Sequence, residues 1–232
     1  MECRLETAEH SFFLFMRILL CKIRDRGIVF KKFAGRFIHM FVCGGNIPQL
    51  EGNRIQLRRM QAEDARSLFE CWSRQEVREY SGIPELESID RAMEMIQFLN
   101  ALSETEDGVR WGIVNKQNSE WIGSCGFNMW QLEGAYRGEI GCELSSLYWG
   151  QGYMNEAIKL LLHYGFQEMG LHRIEALVDT RNERASRLFA TQEFQMEGIL
   201  RGYRHTDEGF HDVHMYSLLE RDWLLKHKET SQ

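Results

Sequence analysis

The sequence predicts an α/β sandwich built about a mixed sheet. Three observations predict it. From residue 53 onward, runs that alternate polar and apolar side chains change places with runs of helical period. Apolar residues at 44% and charged residues at 27% of 232 are ordinary for a chain that buries a core. Length suits one generous domain, or a domain with an appendage, and excludes collagen, coiled coil, low-complexity disorder and disulfide-dense miniproteins.

The elements follow in order. Arg54–Met60 alternates and is the first expected strand. Ala65, Leu68, Phe69 and Trp72 set a helix over 62–72, and Ser88 or Asp90 caps a second whose stripe is Met93, Ile96 and Leu99. Three strands are expected at Val109–Asn115, Glu120–Asn128 and Tyr136–Leu147, the first two joined by a turn at 116–119. A helix over Gly150–Met169 carries Met154, Ile158, Leu161, Leu162 and Phe166 on its apolar face. His172–Asp179 reads as a strand, Arg181–Gln192 as a short helix, and 198–205 with 211–219 as a hairpin around Asp207-Glu208-Gly209. The order is β-α-α-β-β-β-α-β-α-β-β.

Charge divides the chain. Residues 1–50 carry eight Lys/Arg and four acids, so they hold +4 of a total −6, and the remainder is −10. A boundary is expected near Asn46–Gly52, giving a basic extension at 1–46, a domain at 47–225 and a tail at 226–232. The apolar run Phe12–Leu20, broken by Arg17, is too short to span a bilayer, which takes about 20 apolar residues. It also lacks a signal peptide's cleavage site. Three readings stay open for the extension: a membrane-surface or partner helix, an extra helix packed on the domain, or an appendage without a role in the chemistry. The net negative charge argues against nucleic acid as a direct partner. Six cysteines without a C-x-x-C pair suit reduced thiols in the cytoplasm and no metal site.

The informative stretch is Glu143-Leu144-Ser145-Ser146-Leu147-Tyr148-Trp149-Gly150-Gln151-Gly152-Tyr153-Met154-Asn155-Glu156-Ala157. A strand ends, two glycines turn the chain and a helix begins at once. Glycine permits positive φ and close approach of a ligand, and the amides with the helix dipole form an anion site. Gly-Lys-Ser/Thr is absent, which excludes a P-loop, and Asn155 stands where a dinucleotide fingerprint needs its third glycine.

Taken together, Ile47–Arg58, Glu139-Ile140-Gly141, the turn Tyr148–Ala157, Asn182-x-x-Ala185-Ser186-Arg187-Leu188, Phe194, Glu197-Gly198 and Asp212–Leu219 resemble a known family. From about Ile47 to Asp222 the chain is similar to GNAT-fold N-acetyltransferases, most like the Rim-type ribosomal-protein alanine N-acetyltransferases. The resemblance implies a GNAT-like, mostly antiparallel mixed sheet with helices on both faces. It implies acetyl-CoA as co-substrate, with the diphosphate on the amides of Gln151, Gly152, Tyr153, Met154 and Asn155. The pantetheine arm would pair with the backbone of Leu144, Ser145 and Ser146 beside a splayed strand, and Asn182 would bind cofactor or order a water. Family members often supply the thiolate's proton from a tyrosine, but Phe189 occupies that position, and the Rim-type branch suggests Ser186 instead. Trp149 stands where Gln or Arg is usual, Met154 where Gly or Ala is, and Glu193 where the helix commonly ends in Gly.

Transfer to an amine requires a deprotonated amine, since one of pKa near 10 is mostly ammonium at neutral pH. Alternation places Glu139, Gly141 and Glu143 on one strand face, so Glu139 or Glu143 is the expected base acting through water. The acceptor is a primary amine, with a protein N-terminus set against a polyamine or aminoglycoside. A non-catalytic acyl-CoA-binding module is the alternative of another class.

Overall fold

The computed structural model describes the backbone of residues 21–23, 28–33, 36–206 and 208–229, and the side chains of 41–206 and 208–226. The apolar run at 12–20 and Asp207 of the expected turn lie outside the described residues. The chain divides into two compact units, Met1–Val42 and Cys43–Gln232. In the first, β1 (Cys21–Ile23), β2 (Ile28–Phe33) and β3 (Arg36–Phe41) form an antiparallel sheet in that order. Within the extension, the described backbone at 21–23, 28–33 and 36–41 is strand, and the apolar run on which its helical readings rest lies outside the described residues.

The second unit holds an eight-stranded sheet of order β10-β11-β9-β8-β7-β6-β5-β4. Its strands are β4 (Leu50–Glu51), β5 (Ile55–Arg58), β6 (Val109–Asn115), β7 (Trp121–Gln131), β8 (Arg137–Leu144), β9 (Arg173–Asp179), β10 (Gln195–Thr206) and β11 (Gly209–Leu219). Every pairing is antiparallel except β8 with β9. The helices are α1 (Ala65–Trp72), α2 (Gln75–Arg78), α3 (Ile89–Thr105), α4 (Tyr153–His163), α5 (Glu183–Thr191) and α6 (Glu220–Glu229). The expected order is present, with β4, α2 and α6 added to it.

Side-chain size decides which helix covers which face. On one face Leu68, Trp72 and Ile96 of α1 and α3 bury against Met60 and Trp121. Gly112 makes that possible, because a Cβ there would lie 2.9 Å from the Trp121 ring. On the other face the end of α4 meets Trp111 and Phe127, with the Trp111 and Tyr164 rings edge to face at 5.2 Å. The helix expected to run to Met169 instead widens into a π-turn over Tyr164–Glu168, closed by the Met169 amide on the Tyr164 carbonyl at 3.0 Å. Gly165 allows this, since a side chain there would meet Phe127 at 2.7 Å and Ile174 at 2.8 Å. Ser88, not Asp90, caps α3, its hydroxyl accepting from the Arg91 amide at 3.2 Å.

Helix α5 ends as the sequence warns. Glu193 adopts φ 67°, and the Phe194 amide closes the turn on the Phe189 carbonyl at 3.0 Å. The Glu193 carboxylate pairs with Lys226 of α6, but both side chains are about half exposed, so the pair contributes little. Glu193→Gly is expected to raise unfolding free energy by about 1 kcal/mol, because a left-handed non-glycine residue costs about 1–2 kcal/mol. A urea titration of the two proteins checks the sign.

Candidate active site

Among the described residues strands β8 and β9 are the only parallel neighbours, and their pairing is short. It joins Arg137 to Arg173, Gly138 to Ile174 and Glu139 to Glu175, then stops. Beyond it β8 stays with β7 as far as Leu144, while β9 stays with β11 to Asp179. The strands thus open into a wedge whose inner backbone edges need partners. A cleft of about 380 Å³ lies beside the far end of β8, walled by the loop before α4 on one side and by α5 on the other.

The loop is built by its two glycines. Gly150 stands at φ 73° and Gly152 at φ 82°, conformations that an L side chain resists. The Glu156 amide bonds the Gly152 carbonyl at 3.2 Å, and the amides ahead of it have no acceptor within the helix. The expected helix start at Gly150 accordingly shifts to Tyr153. Arg54 braces the turn from β5's approach: its guanidinium donates to the Gln151 carbonyl (2.9 Å) and Glu156 (3.3 Å) and lies 4.6 Å over the Tyr153 ring. Amides at a helix start, beside the positive end of its dipole, suit a diphosphate.

The expected coenzyme residues divide. Leu144, Gly152, Tyr153, Met154, Asn155 and Asn182 line the cleft; Ser145, Ser146 and Gln151 do not. The Ser145 amide is already bonded to the Ile122 carbonyl (2.8 Å), and the Leu144 carbonyl accepts the Trp149 indole N–H (2.9 Å). Ser146 donates its hydroxyl to Glu76 of α2 at 2.9 Å. Asn182 caps α5 by accepting the Ala185 amide at 3.0 Å. Ser186 is half-buried on the same helix and off the cleft wall, where Ala185 and Leu188 stand.

The two carboxylates of β8 face one way and share one network. Glu143 is buried on the cleft wall, ion-paired with Arg110 of β6 and accepting the Ser124 hydroxyl of β7. Arg110 also donates to Ser124 (2.8 Å) and to Asn128 (3.2 Å), whose amide donates to Glu139 at 3.0 Å. Gly141 leaves room for Asn128, which a Cβ would approach to 2.6 Å. Glu139 itself is half-buried and off the cleft.

Cys142, between them in sequence, lines the cleft with its thiol pushed up to about 12 by burial and then by the Glu143 charge. A thiol held protonated is a poor nucleophile, so this position does not favour an acetyl-cysteine intermediate. At position 189 the phenylalanine is buried and packs against Phe194 and Tyr216, with ring centroids at 5.1 and 6.0 Å.

Arg54, Arg110, Ser124, Asn128 and Arg184 are the site-forming residues that motif reading passes over. Each comes from an element remote from the glycine turn, or, for Arg184, from a helix face whose orientation depends on the fold. Strand alternation ties Arg110 to one face of β6, but the register that sets it beside Glu143 is tertiary.

Comparison with known proteins agrees with this layout. Residues 54–195 match the model of the "Acetyltransferase (GNAT) domain". A Bacillus licheniformis protein named "Uncharacterized N-acetyltransferase p20" is 41% identical over 170 residues, 73% of this chain and 95% of that one. Spermidine N(1)-acetyltransferase of Escherichia coli is 27% identical over 96 residues, 41% of this chain and 52% of that protein. The fold is similar to that of Mycobacterium smegmatis RimJ in complex with CoA-disulfide, with a TM-score of 0.71 at 18% identity over 77% of this chain and 90% of that one. The matched stretch contains both the wedge and the glycine turn, and with a relative so alike over nearly its whole length, the chain belongs to the GNAT acetyltransferase family and is an N-acetyltransferase, a class that draws its acetyl group from acetyl-CoA.

Proposed function

We propose that the protein moves the acetyl group of acetyl-CoA directly onto a single primary amine, of which a protein N-terminus is the favoured example. The wedge between β8 and β9, ending on an amide-lined turn, is the observation that carries this reading. The amides of Gln151, Gly152, Tyr153, Met154 and Asn155 hold the diphosphate, and the backbone at Leu144–Ser146 and Asn182 guides the arm. Bonds already made by the Ser145 amide and the Leu144 carbonyl leave fewer partners there than the family pattern implies.

Glu143 receives the ammonium proton through water, and Glu139 acts on it only through Asn128 and Arg110. The amine attacks the thioester carbon, the carbon–sulfur bond breaks, and Ser186, which stands off the cleft wall, returns a proton to the leaving thiolate through water. The high thiol pKa at Cys142 supports direct attack over a covalent relay. Equal turnover of Glu139→Gln, Glu143→Gln and wild type at saturating substrate would remove both carboxylates from the reaction. Ser186→Ala is expected to lower kcat more than it raises the KM for acetyl-CoA.

Acceptor choice rests on charge. Of the two carboxylates lining the cleft, Glu143 is neutralised by Arg110 and Glu76 remains at the mouth, while Arg187 is paired with Glu183 and Arg184 adds positive charge to the wall. Such a cleft suits one ammonium better than a polycation. The polyamine reading draws on the spermidine acetyltransferase likeness. Thiol release from acetyl-CoA separates the two: a peptide with a free N-terminus is expected to drive it and the same peptide acetylated at that end is not. Release with spermidine and none with peptides would overturn the choice. The domain at 47–225 is proposed to carry the whole activity, in the cytoplasm, where its thiols stay reduced.

A further inference from the structure

Trp149 and Arg184 approach each other across the cleft. Trp149 belongs to the loop wall and Arg184 to the first turn of α5, and both line the cavity. The Arg184 guanidinium carbon lies 3.4 Å from the centroid of the Trp149 ring. The indole is not free to turn, because its N–H donates to the Leu144 carbonyl at 2.9 Å. Arg184 makes no ion pair within 4.0 Å among the described residues, so the ring is its close partner, and its charge reaches Glu76 at longer range. Glu76 closes the same mouth from α2, accepting from Ser146 at 2.9 Å. Its own main-chain amide, then the Ser146 hydroxyl and the charges of Arg74 and Arg184, hold the Glu76 carboxyl below the usual carboxylate range.

We propose that the Arg184–Trp149 stack is a clasp joining the two walls of the cleft, which opens to admit the pantetheine arm of the coenzyme and closes over it. This rests on the coenzyme reading above. Three structural points argue for a clasp. A guanidinium on an indole face is attracted to it without needing a fixed hydrogen-bond geometry, so the contact breaks and re-forms with modest cost. The stack joins the start of α5 to the loop before α4, at the opposite end of α5 from the bond that Gln192 donates to Asn155 of α4 at 3.3 Å. The bond from Trp149 to Leu144 anchors one half of the clasp to the end of β8, the strand along which the arm is to lie. Arg184 is thus a positioning residue, with no part in proton transfer.

The test uses CoA and pantetheine, which lacks phosphate, as separate probes of the full chain. Binding is followed through the Trp149 indole N–H signal in a nitrogen-15 spectrum, assigned by its loss in Trp149→Phe. Arg184→Ala is expected to speed entry and release of both probes by a similar factor, roughly three- to thirtyfold in stopped flow, with little change in affinity, because the stack is formed in the free protein as well as over the arm. Arg184→Lys is expected to restore part of the slower release, since an ammonium also binds an indole face. Arg184 is exposed, so the variant is expected to fold, and an unchanged melting temperature checks that. A loss of affinity for CoA but not for pantetheine would make Arg184 a phosphate contact and overturn the clasp. Unchanged entry and release for both probes would overturn it equally. Failure of wild type to bind CoA at all would instead sink the coenzyme reading beneath it.

Discussion

Arg110→Met is expected to lower the unfolding free energy by about 3–5 kcal/mol, the usual effect of removing one partner from a buried ion pair. Glu143 is 7% exposed and would be left as a charge whose remaining recorded donor is the neutral Ser124 hydroxyl. The loss extends along the network, because Arg110 also holds Ser124 and Asn128. Adding Glu143→Gln should recover much of it, since an uncharged amide in that place carries a far smaller desolvation penalty.

Urea titrations of wild type, the single variant and the double variant measure this, and no recovery on adding Glu143→Gln would mean that the deficit does not come from the stranded carboxylate.

Gly152→Val is expected to weaken CoA binding at least tenfold while leaving a folded protein. At φ 82° any L residue is strained by about 1–2 kcal/mol, and a β-branched one resists more. The added Cβ would lie 3.2 Å from the Arg54 guanidinium, the far end of a flexible side chain that moves aside. Moving it releases the brace on the Gln151 carbonyl and turns the amides that follow. Tenfold corresponds to about 1.4 kcal/mol, on the order of one charge-assisted hydrogen bond to phosphate. Gly134 provides the control: it sits at φ 77° in open space. Gly134→Val should show comparable destabilisation in urea and unchanged CoA affinity by calorimetry. Equal affinity of Gly152→Val and wild type would show that the turn does not hold the diphosphate.

Local signals were legible wherever one residue dominates its own conformation. The largely apolar run Val109–Asn115 marks β6 to the residue, and the start of α3 is narrowed to Ser88 or Asp90. The positive φ at Glu193 follows from its place one residue beyond the last turn of α5. The π-turn after His163 was not legible, since its cause is the Phe127 ring pressed against Gly165 from a strand almost forty residues away. Helix α6 escaped notice because its anchor, Trp223 on Phe166 at 5.3 Å, is a contact with another element.

By itself the sequence determined the order of strands and helices, the glycine turn and the shared face of Glu139 and Glu143, because period and glycine act within a few residues. Only the tertiary structure decided that Glu143 is clamped by Arg110 and Ser124 and that Trp149 holds the Leu144 carbonyl beneath Arg184. Those facts depend on strand register and on where a helix comes to rest, which are set by packing across the whole sheet and not by any one segment.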